Sequence, residues 1–250
     1  MAIYTFGSGY LFGVRTDITT PTPRQFGTLQ SVSVDFQSTS KELYGQQQFP
    51  VAVARGTAKI QCKAKLGQIQ GSVFNDLYFG GTIATGENIV INNEQGTIGA
   101  TPFTIVAANT IFALDLGVNY VATGLPFTRV ASAPTTGQYI NAGTGTYTFS
   151  AGDSAAVVAL NYEYTNSAVG QMITLANPTL GVQPVFKAVL REQWQSPTGL
   201  KQASLTLNAN IADKLSIGTK QEDFEMPELD FSSFADSSGN ILSWSFSEAG

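Results

Sequence analysis

The residues able to do chemistry are few and badly assorted. Five carboxylates crowd one stretch: Glu222, Asp223, Glu225, Glu228 and Asp230. Such a run could supply an acid/base pair for glycoside hydrolysis, or oxygen ligands for calcium. Catalytic carboxylates usually converge from distant parts of a chain, so a local run reads first as an acidic surface or a subunit-contact loop. The turn Asp236-Ser237-Ser238-Gly239-Asn240 lacks the spacing of an EF-hand loop. Lys59, Lys63 and Lys65 could attract phosphate, but three lysines on one strand face more often form a solvated or salt-bridged surface. Gly7-Ser8-Gly9 with Gly13 fails the dinucleotide pattern, because Phe12 sits where the third glycine belongs. No Walker A motif and no Gly-x-Ser-x-Gly elbow exists.

Counts remove further chemistry. There is no histidine, which excludes Ser-His-Asp and Cys-His catalysis and His-ligated metals. The single cysteine, Cys62, allows no intrachain disulfide and no Cys-based zinc site. It alternates with Ile60 and Ala64 and reads as a small buried apolar residue. No catalytic constellation, cofactor motif or metal-ligand set remains, so the expectation is not an enzyme.

The 250 residues suit one large domain or a domain with an insert. Thirteen basic and 18 acidic side chains leave a net charge of −5, and only 12% of residues are charged. That is about half the usual share, which hints at a surface covered by other copies. The acidic balance argues against a dedicated nucleic-acid binder. No apolar run has the length of a membrane helix, and the N-terminus lacks a signal-peptide layout. These features predict a soluble protein made in a reducing cytoplasm.

Charge is unevenly spread. Residues 81–180 contain one basic group, Arg129, and are rich in Thr, Ala, Gly and Asn. This island predicts a module inserted into a parent domain formed by 1–80 and 181–250. In the parent domain, period-two alternation predicts strands at Leu29–Gln37, Thr57–Leu66, Val185–Trp194, Ser204–Ile211 and Asn240–Ser247. Ile69, Val73, Phe74, Leu77 and Tyr78 recur at helical spacing, with Gln68, Gln70, Ser72, Asn75 and Asp76 on the opposite face. They predict a helix of about three turns over Gly67–Phe79, stopped by Gly80-Gly81 and packed on the inner sheet face. Thr39–Gly56 is too long for a tight hairpin turn and carries Tyr44, Phe49 and Val51, so it reads as a binding arm. In the island, β-rich runs fall at Phe103–Ala107, Ile111–Leu116, Val118–Val121, Phe127–Val130, Thr146–Phe149 and Ala155–Thr165. Turn signals separate them, which predicts a small β-sandwich serving as an outward decoration or as filler.

Two stretches are familiar. Lys41-Glu42-Leu43-Tyr44-Gly45 with Phe49-Pro50-Val51-Ala52-Val53-Ala54-Arg55-Gly56, and the strand and helix that follow, resemble the major tail tube proteins of tailed bacteriophages. So does the close, Phe224-Glu225-Met226-Pro227-Glu228 with Asp230-Phe231-Ser232-Ser233-Phe234-Ala235-Asp236 and Trp244-Ser245-Phe246-Ser247. The likeness covers about 150 residues on both sides of the insert. The insert itself, through Gly137-Gln138-Tyr139, Tyr147-Thr148-Phe149-Ser150 and Asn161-Tyr162-Glu163-Tyr164-Thr165, resembles a β module met in phage structural proteins.

The resemblance implies a β-sandwich or partial barrel with one flanking helix, six copies to a ring, and rings stacked into a hollow tube. It implies a tape-measure protein, a tail terminator and tail-tip or baseplate proteins as partners, transient passage of viral DNA, and a place in the virion tail after assembly in the host cytoplasm. The insert, a departure from the family pattern, would project outward. On this reading Tyr44, Phe49, Val51 and Arg55 of the arm and Phe224, Met226, Phe231 and Phe234 of the acidic segment are subunit-interface candidates, and Tyr4–Phe12 is a further contact segment. Ser204, Thr206, Asn208 and Asn210, or the row Lys59, Lys63 and Lys65, are lumen-lining candidates. The competing readings are a phage adhesion or decoration protein whose β module binds host glycans, a tube of a contractile injection system, and a carbohydrate-active enzyme using Glu225 or Glu228.

Overall fold

The computed structural model describes residues 7–109, 111–196 and 199–247. The protein is mostly β, in the β-sandwich and partial-barrel class, with one short helix. In chain order the strands are β1 (Tyr10–Arg15), β2 (Arg24–Gln25), β3 (Leu29–Tyr44) and β4 (Pro50–Leu66). The helix α1 (Gly71–Phe74) follows and runs on as a π-helical turn, Asn75–Phe79. Next come β5 (Thr82–Thr97), β6 (Thr104–Val106), β7 (Phe112–Tyr120), β8 (Thr128–Arg129), β9 (Gln138–Asn141), β10 (Thr146–Phe149) and β11 (Val157–Thr174). The last four are β12 (Phe186–Ser196), β13 (Gly199–Ser216), β14 (Glu228–Phe234) and β15 (Leu242–Phe246). The chain divides into two compact units: Met1–Thr82 with Ile173–Gly250, and Ile83–Met172.

The first unit is built on one eight-stranded sheet, ordered β2-β1-β12-β13-β14-β4-β3, with β15 also paired to β13. Alternation aims one face of this sheet inward. Ile60, Cys62, Ala64 and Leu66 of β4, Leu229 and Phe231 of β14, and Leu205 and Leu207 of β13 are all buried. Val73, Phe74 and Leu77 of the helical segment complete the same core. A Cβ on Gly13 of β1 would lie 2.7 Å from Leu77 Cδ1, so glycine lets the helix approach the sheet closely.

The helix is shorter than its apolar spacing suggests. Gly67 N–H donates to Thr28 C=O at 2.8 Å, and Gln70 is extended (φ −125°), so Gly67–Gln70 stay outside the helix and Ile69 is exposed. The π turn also moves Asn75 from the predicted polar face into the core, where its Nδ2 donates to Gly81 C=O at 3.0 Å. Gly80 closes the segment in the left-handed region (φ 63°), as a C-terminal glycine does.

The stretch Thr39–Gly56 is corrected from a long connection to a hairpin. Pairing continues from Leu29↔Leu66 out to Tyr44↔Pro50, and only Gly45–Phe49 form the loop. Register shifts after Ser38 and after Leu43 absorb the irregular residues and let the ladder resume.

The second unit contains a four-stranded sheet, β6-β10-β9-β8, and a three-stranded sheet, β5-β11-β7. Ile98, Val118, Phe127, Tyr139, Tyr147, Phe149, Val158, Leu160 and Tyr162 make its core. The two predicted runs at Ile111–Leu116 and Val118–Val121 are one strand, β7, which passes through Gly117 at φ 105°. Strand β5, which no predicted run covers, carries few apolar residues and holds Asn93 at φ 69°. Tyrosines donate to three carboxylates that are buried or half-buried, and Arg129 lies 3.7 Å from one of them, Asp115. Asp115 accepts from Tyr139 at 2.7 Å, from Tyr147 at 3.3 Å and from Gly117 N–H at 3.0 Å. Asp153 accepts from Tyr120 at 2.5 Å and Gly137 N–H, and Tyr162 donates to Glu94.

Candidate assembly surface

Beyond Ile60, strand β4 loses its β14 neighbour, because that pairing ends at Ser233↔Ile60. The β3–β4 pair then continues alone for ten residues, about 30 Å at the rise of a strand. From Asp35 to Lys59 every residue is exposed except Pro50, which is half-buried. An isolated two-stranded ribbon is marginal in water, so one this long and bare is unusual. Its apolar side chains are large: Leu43 is 63% exposed, Tyr44 56%, Phe49 81%, Val51 68% and Val53 62%. By alternation Tyr44, Val51 and Val53 share one face with Glu42 and Arg55. Tyr44 O–H donates to the Glu42 carboxylate, and this bond raises the phenol's pKa. Tyr44, Phe49, Val51 and Arg55 thus stand together on one ribbon, which also carries the exposed Val53 on the Val51 face and Leu43 on the opposite face. The alternation of Val51 and Val53 with alanines is the sequence signal for Val53.

The acidic segment divides in two. Glu228 and Asp230 lie in β14 and point away from the core, opposite Lys65 and Lys63. Lys65 Nζ is 3.4 Å from Glu228 and Lys63 Nζ is 4.0 Å from Asp230. Before β14, Phe224 and Met226 stand exposed on the loop, and Phe234 is exposed at the strand's far end. Phe231 is corrected: alternation on β14 turns it inward with Leu229, where it is 2% exposed and packs edge-on against Phe186 at 5.5 Å. It is a core residue and offers nothing to a neighbour.

Of the lumen candidates, Ser204 and Thr206 share the outer sheet face with Lys63 and Lys65, beside the outer residues of β12 and β15. Lys59 is exposed on β4 and Asn208 is half-buried. Asn210 is corrected: it is fully buried. The pairings Phe186↔Asn210 and Ala188↔Leu207 differ by one residue in register, and this bulge turns Asn210 inward. There Nδ2 donates to Phe186 C=O at 2.8 Å and Leu207 C=O at 3.1 Å, and Oδ1 accepts from Ser233 Oγ at 2.5 Å. In the predicted contact segment Tyr4–Phe12, Tyr4, Thr5 and Phe6 lie outside the described residues. Leu11 is core, Phe12 is half-buried and Tyr10 is exposed.

Burial pushes the Cys62 thiol up to about 12, which keeps it protonated and unreactive at neutral pH. Among the described residues no three thiol or carboxylate groups converge as metal ligands. What the geometry offers is contact area: an apolar ribbon, an acidic aromatic loop, and a polar sheet face with cross-strand ion pairs. No protein-family model matches the chain, and no curated protein matches it.

Proposed function

We propose that this chain is a structural subunit that polymerises with its own copies as stacked hexameric rings, forming the tail tube of a bacteriophage and the conduit for its DNA. The observation that carries this reading is the bare ribbon. It holds five large apolar side chains in water, a state that a second protein surface would relieve. The sequence habits of both flanks support the same reading, as does the low share of charged residues. The polar sheet face suits a lumen, because Lys63 and Lys65 sit beside Asp230 and Glu228 and offer phosphates little net grip. Tape-measure, terminator and tail-tip proteins are the partners this reading requires. Its place is the virion, and its role is architectural, not enzymatic.

Negative-stain electron microscopy of the purified protein across a concentration series tests it. Rings or hollow tubes with sixfold end views are expected. A monodisperse monomer at every concentration, with a tail-tip complex added as initiator, refutes it.

A further inference from the structure

At the root of the ribbon lies a groove of about 460 Å³. Its apolar walls include Phe36, Ile60, Phe234 and Ile241, three of which are more than 40% exposed. Its charged lining residues are Arg55 and Lys59, and none of its described lining residues is acidic. The opposite character appears on the loop before β14. Glu222, Asp223 and Glu225 flank Phe224 in the chain, and Phe224 is 89% exposed with Met226 beside it; Lys220 lies 3.9 Å from Asp223, and Lys65, paired with Glu228, lines the same cleft.

Strand β14 separates the two features. The loop leads into its first residue, Glu228, and the groove is lined by its last, Phe234. Seven extended residues span about 20 Å, so the loop of one chain does not reach its own groove. A knob and a socket at opposite ends of one strand are the geometry of a head-to-tail contact, which repeats without limit along its axis. We infer that the Glu222–Met226 segment of one copy docks in the Arg55/Lys59 groove of a second copy, with Phe224 as the apolar anchor. The charge match selects this occupant over the ribbon's own tip, where Gln46, Gln47 and Gln48 are uncharged. The inference rests on self-assembly of the chain and specifies one contact within it.

Charge reversal tests it. One variant carries Arg55→Glu and Lys59→Glu; the other carries Glu222→Lys and Asp223→Lys. All four residues are exposed, so both monomers should melt as wild type does. Each variant alone should fail to pellet at concentrations where wild type polymerises. Mixed in equal amounts they should co-polymerise, since each reversed knob then meets a socket of opposite sign. Phe224→Ala should raise the critical concentration by about tenfold to a hundredfold. Wild-type-like polymerisation of either charge variant alone overturns the contact, as does a mixture that stays monomeric while wild type assembles. Wild type that never assembles overturns the assembly reading itself.

Discussion

Replacing Tyr44 and Phe49 together with serine separates folding from assembly. Phe49 is 81% exposed and Tyr44 56%, and neither belongs to the core. Their loss should shift the stability of the monomer by no more than about 0.5 kcal/mol. A large aromatic side chain buries roughly 200 Å² when covered. At about 25 cal/mol per Å², covering what is now exposed corresponds to about 4 kcal/mol for Phe49 and about 3 kcal/mol for Tyr44. Ordering costs and incomplete burial bring the realised sum down to roughly 3 kcal/mol, which is about a hundredfold in an association constant. The assay is a pelleting series for the critical concentration, run beside a thermal melt of the unassembled protein. An unchanged melt with a critical concentration raised about a hundredfold is expected. A variant that polymerises at the wild-type concentration refutes the claim that the ribbon carries the contact.

Other perturbations probe the fold beneath that surface. Leu77→Ala removes a fully buried side chain packed on Gly13 and should cost about 2–5 kcal/mol in denaturant unfolding. Asn210→Ala strands the Phe186 and Leu207 carbonyls and the Ser233 hydroxyl, and should cost about 1–3 kcal/mol by the same measurement. Tyr120, half-buried and donating to Asp153, has its pKa pushed from 10.0 up to about 12 by desolvation and by that bond. The folded state thus prefers the neutral phenol; that contribution is complete below pH 10 and is lost as pH rises from 10 towards about 12, so alkaline melts should fall across this window while Tyr120→Phe flattens the fall. Lys65→Gln breaks an exposed pair with Glu228 and should change stability by less than about 1 kcal/mol.

Much of the sheet was legible because burial there follows alternation without interruption. Ile60, Cys62, Ala64 and Leu66 read inward and are inward, and the lysines between them are exposed. The failures sit where the backbone departs from regular spacing. Asn210 reads as an outward residue until the one-residue bulge opposite Phe186–Ala188 is known. Asn75 reads as polar surface until the helix widens into a π turn. Phe231 reads as a contact residue when its acidic neighbours are taken as a loop; once they form β14, period two sends it to the core. The ribbon departs from expectation in the other direction. The length of Thr39–Gly56 between two regular alternations suggests a connection, yet the backbone ladder needs only extended residues and bulges to continue.

The two edges of the large sheet are unequal, and this bears on how copies would meet. At one edge stands β2, two residues long, a short strand of the kind that discourages further pairing. At the other stands β3, sixteen residues long, and among the described residues no strand pairs with its outer side. Charge along it is sparse: Asp35, Lys41 and Glu42. A long, lightly charged edge is a template for another chain unless an assembly closes over it. Lys41→Pro would test that edge without touching the core, since Lys41 is exposed and proline has no backbone N–H to offer a neighbouring strand. If the outer side of β3 is a subunit contact, local distortion there lowers polymer yield while the monomer's melt moves by much less than that of Leu77→Ala. Equal polymer yield from Lys41→Pro and wild type would leave the ribbon's apolar face and the basic groove as the contacts that matter, and would remove the edge from the account.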